Sequence, residues 1–497
     1  MKDMKKKIVI IGGGIGGLSA GIYALKAGYD AVIYEKNPVA GGECMGWNRK
    51  GCHIDNCIHW LTGTDKNTPL WQVWKTIGAI DENTRYADTD MFYSYRAGGK
   101  EATLWKDLDR TERELVALSP EDEAETRKLI RHVRYAEDCT FPVDKPMDMM
   151  NISDYIKLGK SMANMPKVMK EYGSISLNDL AERFHSPLLK KIICGYMPAE
   201  YTAYSFVVSY ATYTGGNGEI PLGGSLAMTN RIVERFKEMG GELHTNAPVK
   251  RIIAENGTAK GIELENGEKI TADEIISAVD TNLLFGKFLD RSYTPKDWRE
   301  AYDKSADYPV MSGFQVAFVT EGAPGAEGTV FFSCDPIKIG RRSFDMISVK
   351  NYGYDKSFAP EGKTVIQTNI SQYDEDYLYW KSLSKEEYKA KKQELAAEIE
   401  ERIIKEFPEL DGRIGLLDCW TPMTYERYCG AYHGAYMAFI TKPGVKQLKC
   451  SGTVKGVKNL YIAGQWIMSP GGLPVAAASG KFAVQRILKK DKRPIEI

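Results

Sequence analysis

No apolar run in this chain approaches the roughly 18 uninterrupted residues of a membrane span, so no segment reads as a transmembrane helix. Net charge is missing too: 66 basic residues balance 66 acidic ones, which leaves no field to draw the protein to nucleic acid. The nine cysteines contain no C-x-x-C pair and are odd in number. Without a signal core they point to free thiols in a reducing cytoplasm. Internal repeats and low-complexity segments are absent as well. The basic start, Met1 to Lys7, precedes an apolar run too short for a targeting segment and reads as leading into a first strand. What is present is 497 residues, 43% hydrophobic, enough for more than one core, and two domains are expected.

The most informative stretch is Lys7-Ile8-Val9-Ile10-Ile11 followed by Gly12-Gly13-Gly14-Ile15-Gly16-Gly17, with Glu35 closing the next apolar stretch, Asp30 to Tyr34. This order is a dinucleotide-binding strand, turn and helix. Gly12 allows the tight turn, Gly14 lets backbone approach a pyrophosphate, Gly17 lets helix and strand pack closely, and Glu35 accepts ribose hydroxyls. The helix N-terminus, near Ile15, offers unpaired N–H groups to the diphosphate. An ordinary glycine-rich turn would lack the strand before, the helix pattern after and the acid beyond. Only one such fingerprint occurs, which argues against a second nucleotide domain.

Further on, Gly223-Gly224-Ser225 opens an apolar periodic helix. The dipeptides Asn256-Gly257 and Asn266-Gly267, each between apolar stretches, predict hairpins. Asn459 to Gly464 reads as a buried strand, and Pro470 to Pro474 as a turn before a helix from Val475. The chain therefore returns to its first domain. Lys385 to Glu406 carries Leu395, Ile399 and Ile403 at helical spacing and predicts a solvated amphipathic helix. The expected fold is α/β: a Rossmann-like dinucleotide domain, a parallel sheet with an added antiparallel sheet, from 1–106, 215–299 and 446–497, plus a mixed α+β substrate domain from 107–214 and 300–445.

Cys44, Cys52 and Cys57 lie near His53 and His59, a composition that suggests a metal site. Their spacing does not, so no metal is expected and the thiols are read as lining a pocket.

The glycine loop with Glu35, Gly41-Gly42-Glu43, Gly51 to Asp55, Thr421 to Tyr428, Leu460 to Trp466 and Pro470 to Pro474 together resemble the phytoene desaturase, carotenoid isomerase and retinol saturase group of amine-oxidase-like flavoproteins. The resemblance implies a resident FAD bound across both ends of the chain. Gly12, Gly14, Ile15, Gly17, Glu35, Lys36, Gly42 and Glu43 would hold it from one side. Val249 would meet the adenine, Gly464 and Gln465 the diphosphate and ribityl chain, and Gly472 and Leu473 the flavin ring, with the last helix aimed at the pyrimidine edge.

Two departures from the group's pattern alter charge beside the cofactor. Glu43 stands where a cation or serine is common, and Gln465 where Asp is common. Glu43 is read either as an acid raised by burial or as the partner of Arg49. Glu43, Cys57, His59 and Tyr425 are the catalytic candidates, against structural roles for the same residues. Tyr425, Arg427, Tyr428 and His433 otherwise form a polar wall. Methionines 147, 149, 150, 162, 165 and 169, interleaved with Lys157, Lys160, Lys167 and Lys170, are read first as helix packing and second as a lipid-facing mouth.

The resemblance implies an oxidoreductase, desaturase or saturase, acting on carbon–carbon bonds of a long apolar isoprenoid, carotenoid or acyl chain. A redox-neutral isomerase or hydratase, an amine oxidase and a non-enzymatic isoprenoid escort are the alternatives. A cytoplasmic protein is expected, with peripheral contact at the inner face of the membrane as a second reading; the sequence leaves its oligomeric state open.

Overall fold

The computed structural model describes residues 5–322, 325 and 328–497. Its first sheet runs Val249–Glu255, Thr258–Leu264, Val457–Ile462, Glu274–Ser277, Lys7–Ile11, Asp30–Tyr34 and Glu242–His244 in spatial order. From Val457–Ile462 onward the neighbours are parallel, and Val9 sits between Val32 and Ile275. Helices or loops cover both faces, which is why these strands read as continuous apolar runs rather than alternating ones. Asn256 and Gly257 both adopt positive φ, 49° and 70°, as a two-residue hairpin turn requires. The hairpin they close is not a separate layer, because Thr258 pairs with Lys458 and extends the parallel sheet.

The second sheet is mostly antiparallel: Ile414–Trp420, Ser312–Glu321, Lys363–Gln372, Arg342–Asn351, Gly328–Ile339, Met91–Ala97 and Lys100–Trp105. The last two strands fall within 1–106, expected in the dinucleotide unit, yet Met91–Ala97 pairs in parallel with Gly328–Ile339. Their aromatic face, Phe92, Tyr93 and Tyr95, packs under helices that include Pro187–Gly195 and Ala203–Thr214. The helix Lys385–Glu406 covers the sheet's other end through Leu395, Ile399 and Ile403.

Helix Ile15–Lys26 packs against the last helix, Leu473–Lys490, almost backbone to backbone. A Cβ on Gly480 would lie 2.5 Å from Ala20 N and 2.6 Å from Gly16 O; one on Gly16 would lie 2.9 Å from Gly464 Cα and N. The Ser19 hydroxyl donates to Ala477 O at 2.6 Å across this seam.

The methionine-rich stretch departs from the packing reading. Helix Ile152–Ser161 has no buried residue, and Met147, Ile152, Tyr155, Ile156 and Met169 are all exposed, Ile152 to 81%. Only Met165 of the six methionines is buried. No described helix is long and apolar enough to cross a membrane.

The seam gives a test against intrinsic propensity. Alanine is favoured over glycine in helices by about 1 kcal/mol, yet Gly480→Ala should lower stability by about 1–3 kcal/mol through overpacking. Gly159→Ala, on an exposed helix with nothing near its Cβ, should raise it; thermal unfolding of both variants reads the difference.

Candidate active site

A cavity of about 630 Å³ lies at the carboxyl ends of the parallel strands, lined by residues from Ile11 to Cys57, Pro248 to Phe288 and Tyr377 to Ala476. This is where ligands bind in open α/β sheets. Gly12, Gly14, Ile15, Glu35, Lys36, Gly42, Glu43, Cys57, Val249, Gly464, Gln465, Gly472 and Leu473 all line it. Gly17 does not; a side chain there would run into Gly12 O, so it acts by letting helix and strand close.

The donor set fits a dinucleotide. Two helices, Ile15–Lys26 and Leu473–Lys490, begin at the cavity without a side-chain cap and without an acid in their first turns. Their unpaired N–H groups and positive dipole ends suit a diphosphate and an electron-rich ring. Glu35 is buried, and its Oε2 accepts from Gly13 N at 2.7 Å while Oε1 accepts from Asn37 N at 2.8 Å and Asn37 Nδ2 at 2.9 Å. The carboxylate is thus fixed at the cavity wall, with an oxygen lone pair left for ribose hydroxyls.

Glu43 does not meet Arg49, which pairs instead with Asp418 at 3.1 Å. Its Oε2 accepts from Gln465 Nε2 at 2.9 Å, and Gln465 Oε1 in turn accepts from Gly472 N at 3.1 Å. The two unusual residues therefore form one clip, joining the second glycine loop to the turn before the last helix. Burial, and then the charge of Asp280, push Glu43 up to about 8, with the Gln465 hydrogen bond opposing. Asp280, missed in the sequence, is buried on the same cavity and caps a turn, accepting from Asn282 N at 2.7 Å and Tyr432 N at 2.6 Å. Burial raises it to about 7 despite those bonds. Its signal was its place just after the apolar stretch ending at Val279, at the carboxyl end of a parallel strand.

The other catalytic candidates separate. Cys57 lines the cavity beside Cys44; a hydrogen bond with Cys44, and then burial, raise its thiol well above the usual range. Cys52 turns away into an apolar cluster with Phe358. Among the described residues no group of three or more His, Cys, Asp or Glu is placed to hold a metal. Tyr425 corrects the proton-transfer reading. Its hydroxyl lies outside the cavity lining, donates to Asn56 Oδ1 at 2.8 Å, and accepts from Gln315 Nε2 at 2.6 Å and Trp420 Nε1 at 3.1 Å, which leaves it committed to joining strands. His59 lies off the main cavity, on a small recess with Tyr196 and Lys350. His433 stacks between Tyr377 and Tyr432, part of the expected polar wall.

Because burial holds Glu43 and Asp280 above their ordinary values, the folded protein binds more protons than the unfolded chain between pH 3.8 and about 8. Their contribution is fully present below that window and is lost as pH rises through it. Unfolding followed from about pH 5 to about pH 8 should show a shallower decline in Glu43→Gln than in the parent. An identical slope would mean that the Glu43 carboxyl is ionised throughout.

Comparison with known proteins agrees with this geometry. The model for flavin containing amine oxidoreductases matches residues 15–488. The chain is 24% identical to a chloroplastic prolycopene isomerase of Daucus carota, covering 96% of this chain and 79% of that one. It is also 24% identical to a lycopene-forming phytoene desaturase of Paracoccus sp., covering 97% of each. Among solved structures, an oxidoreductase from Methanosarcina mazei superposes with a TM-score of 0.60 at 18% identity, covering 96% of this chain and 100% of that one. With a cavity built for a dinucleotide from both ends of the chain, the protein belongs to the flavin containing amine oxidoreductase family and is an FAD-dependent oxidoreductase.

Proposed function

We propose that this enzyme removes or adds hydrogen across a carbon–carbon bond of a long apolar alkene, an isoprenoid, carotenoid or unsaturated acyl chain. The observation that carries the reading is that the cofactor cavity reaches the aromatic cluster of the second sheet: Tyr436 lines the cavity, accepts from Gln465 Nε2 through its carbonyl at 3.4 Å, and packs against that cluster. The relatives named above, which carry carotenoid desaturase and isomerase names, support the substrate class.

In this reading Glu35 holds the ribose, the N–H groups from Gly14 and Ile15 hold the diphosphate, and Val249 lies against the adenine. Gly464 allows close approach of the cofactor chain, and the turn at Gly472 and Leu473 supports the ring. Bound FAD supplies hydride acceptance or donation. Glu43 keeps its proton at neutral pH and fixes the Gln465 amide, so no full negative charge opposes electron density on the cofactor. Aromatic walls exclude water and orient the alkene. A redox-neutral isomerase is the second reading, favoured by the prolycopene isomerase likeness over nearly the whole chain.

The test is anaerobic incubation with polyenes and unsaturated fatty acids, with the flavin oxidised in one arm and chemically reduced in the other. Gain or loss of hydrogen in the product mass, matched by reoxidation or bleaching of the flavin, is the expected outcome. Unchanged mass with moved or re-configured double bonds, seen only with reduced flavin, would establish the isomerase.

The same reading makes the exposed face of residues 147–170 the mouth that meets the cytoplasmic face of a membrane. Ile152, Tyr155 and Ile156 are exposed beside Lys157, Lys160, Lys167 and Lys170, the Tyr155 hydroxyl donating to Met147 O at 2.9 Å, the arrangement of an interfacial helix on anionic lipid. Replacing Ile152 and Ile156 by Glu should weaken sedimentation with anionic vesicles by about ten-fold or more, while turnover of detergent-dispersed substrate persists.

A further inference from the structure

A buried lysine stands outside the cofactor machinery. Lys350 lies on the strand Arg342–Asn351, 6% exposed, with its Nζ over the Tyr352 ring at 4.8 Å. Nζ donates to Ile58 O at 3.3 Å and to His59 Nδ1 at 3.4 Å, both long contacts. An ammonium carries three donors, and among the described residues no carboxylate lies within ion-pair distance of this one. The nearby acid Asp55 is committed elsewhere, accepting from Ser225 N at 2.5 Å, Ser225 Oγ at 2.6 Å and Cys57 N at 3.1 Å. A cation withdrawn from water without an anion is costly, and proteins keep buried charges where something pairs with them.

The open donor has a place to act. Lys350, His59, Trp60, Phe92 and Tyr196 line a recess of about 20 Å³, room for one small polar group and too little for a whole substrate. His59 lines this recess, edge-on to Tyr196 with ring centroids 6.2 Å apart, and keeps exposed surface. With Nδ1 turned to the ammonium, its proton sits on Nε2, a second donor. Burial, and then the Lys350 charge, hold the ring neutral, near 3, and burial lowers Lys350 itself to about 8 against the pull of Asp55 and Cys57. Cys57 lines the cofactor cavity, and His59, two residues later beyond a bend, lines the recess. The segment Cys57 to His59 therefore borders both spaces.

We propose that Lys350 and His59 anchor a carboxylate at one end of the substrate, whose alkene lies in the larger cavity. The inference rests on the alkene reading above and narrows it from hydrocarbons to unsaturated acids: a hydrocarbon leaves the ammonium buried and unpaired, whereas a carboxylate takes a charge-assisted bond from Nζ and a second bond from Nε2.

The holoenzyme, titrated with linoleate, linoleyl alcohol and the matching octadecadiene while the flavin absorbance is followed, tests this. Linoleate should bind about ten-fold or more tightly than the other two. Lys350→Met should abolish that preference while leaving alcohol binding unchanged, and Lys350→Arg should retain it. Equal binding of all three by the parent, a comparison that needs no variant, overturns the anchor and leaves the alkene reading standing. So does a preference that persists in Lys350→Met. Failure of all three ligands to bind or perturb the flavin, with FAD retained, overturns both.

Discussion

The architecture depends on a contact between backbones. The first dinucleotide helix and the last helix approach so closely that Gly16 and Gly480 have no room for a side chain, Gly16 lying against the backbone of Gly464. That seam brings two uncapped helix N-termini to one cavity, although they are separated by most of the sequence. It also explains why the first and last segments carry the strongest sequence signals. Their glycines answer to a packing distance that any Cβ would exceed.

A second theme is the handling of negative charge. Glu43 and Asp280 share one cavity, and both are raised towards or above neutrality by burial. The resemblance flagged Glu43 and Gln465 as separate oddities. In three dimensions they compensate each other, because the amide at 465 donates to the carboxyl at 43 and accepts from the backbone at Gly472. Charge near the cofactor is thus set by the pair, and reading either residue alone gives the wrong sign of its effect.

Local features were the legible ones. Gly12 to Gly17 with Glu35, the Asn256-Gly257 turn and the spacing of Leu395, Ile399 and Ile403 each write their constraint within a few residues. The features that eluded the sequence depend on strand order. Asp280 matters because its strand ends beside the glycine loop, a neighbour that the apolar stretch ending at Val279 does not reveal, and Lys350 because its strand passes behind His59, which nothing near 350 in sequence announces. Met91–Ala97 falls within the range 1–106 expected in the dinucleotide unit, yet its sheet partner Gly328–Ile339 lies more than two hundred residues away. Tyr425 was drawn to the chemistry by a motif whose hydroxyl is in fact spent on three neighbours.

The cavity wall also draws on distant parts of the chain: residues near 12, near 280 and near 476 all line it. A cofactor held by that wall would tie the glycine loop to the helix Leu473–Lys490 and act as a strut between segments that the backbone joins only through the second sheet.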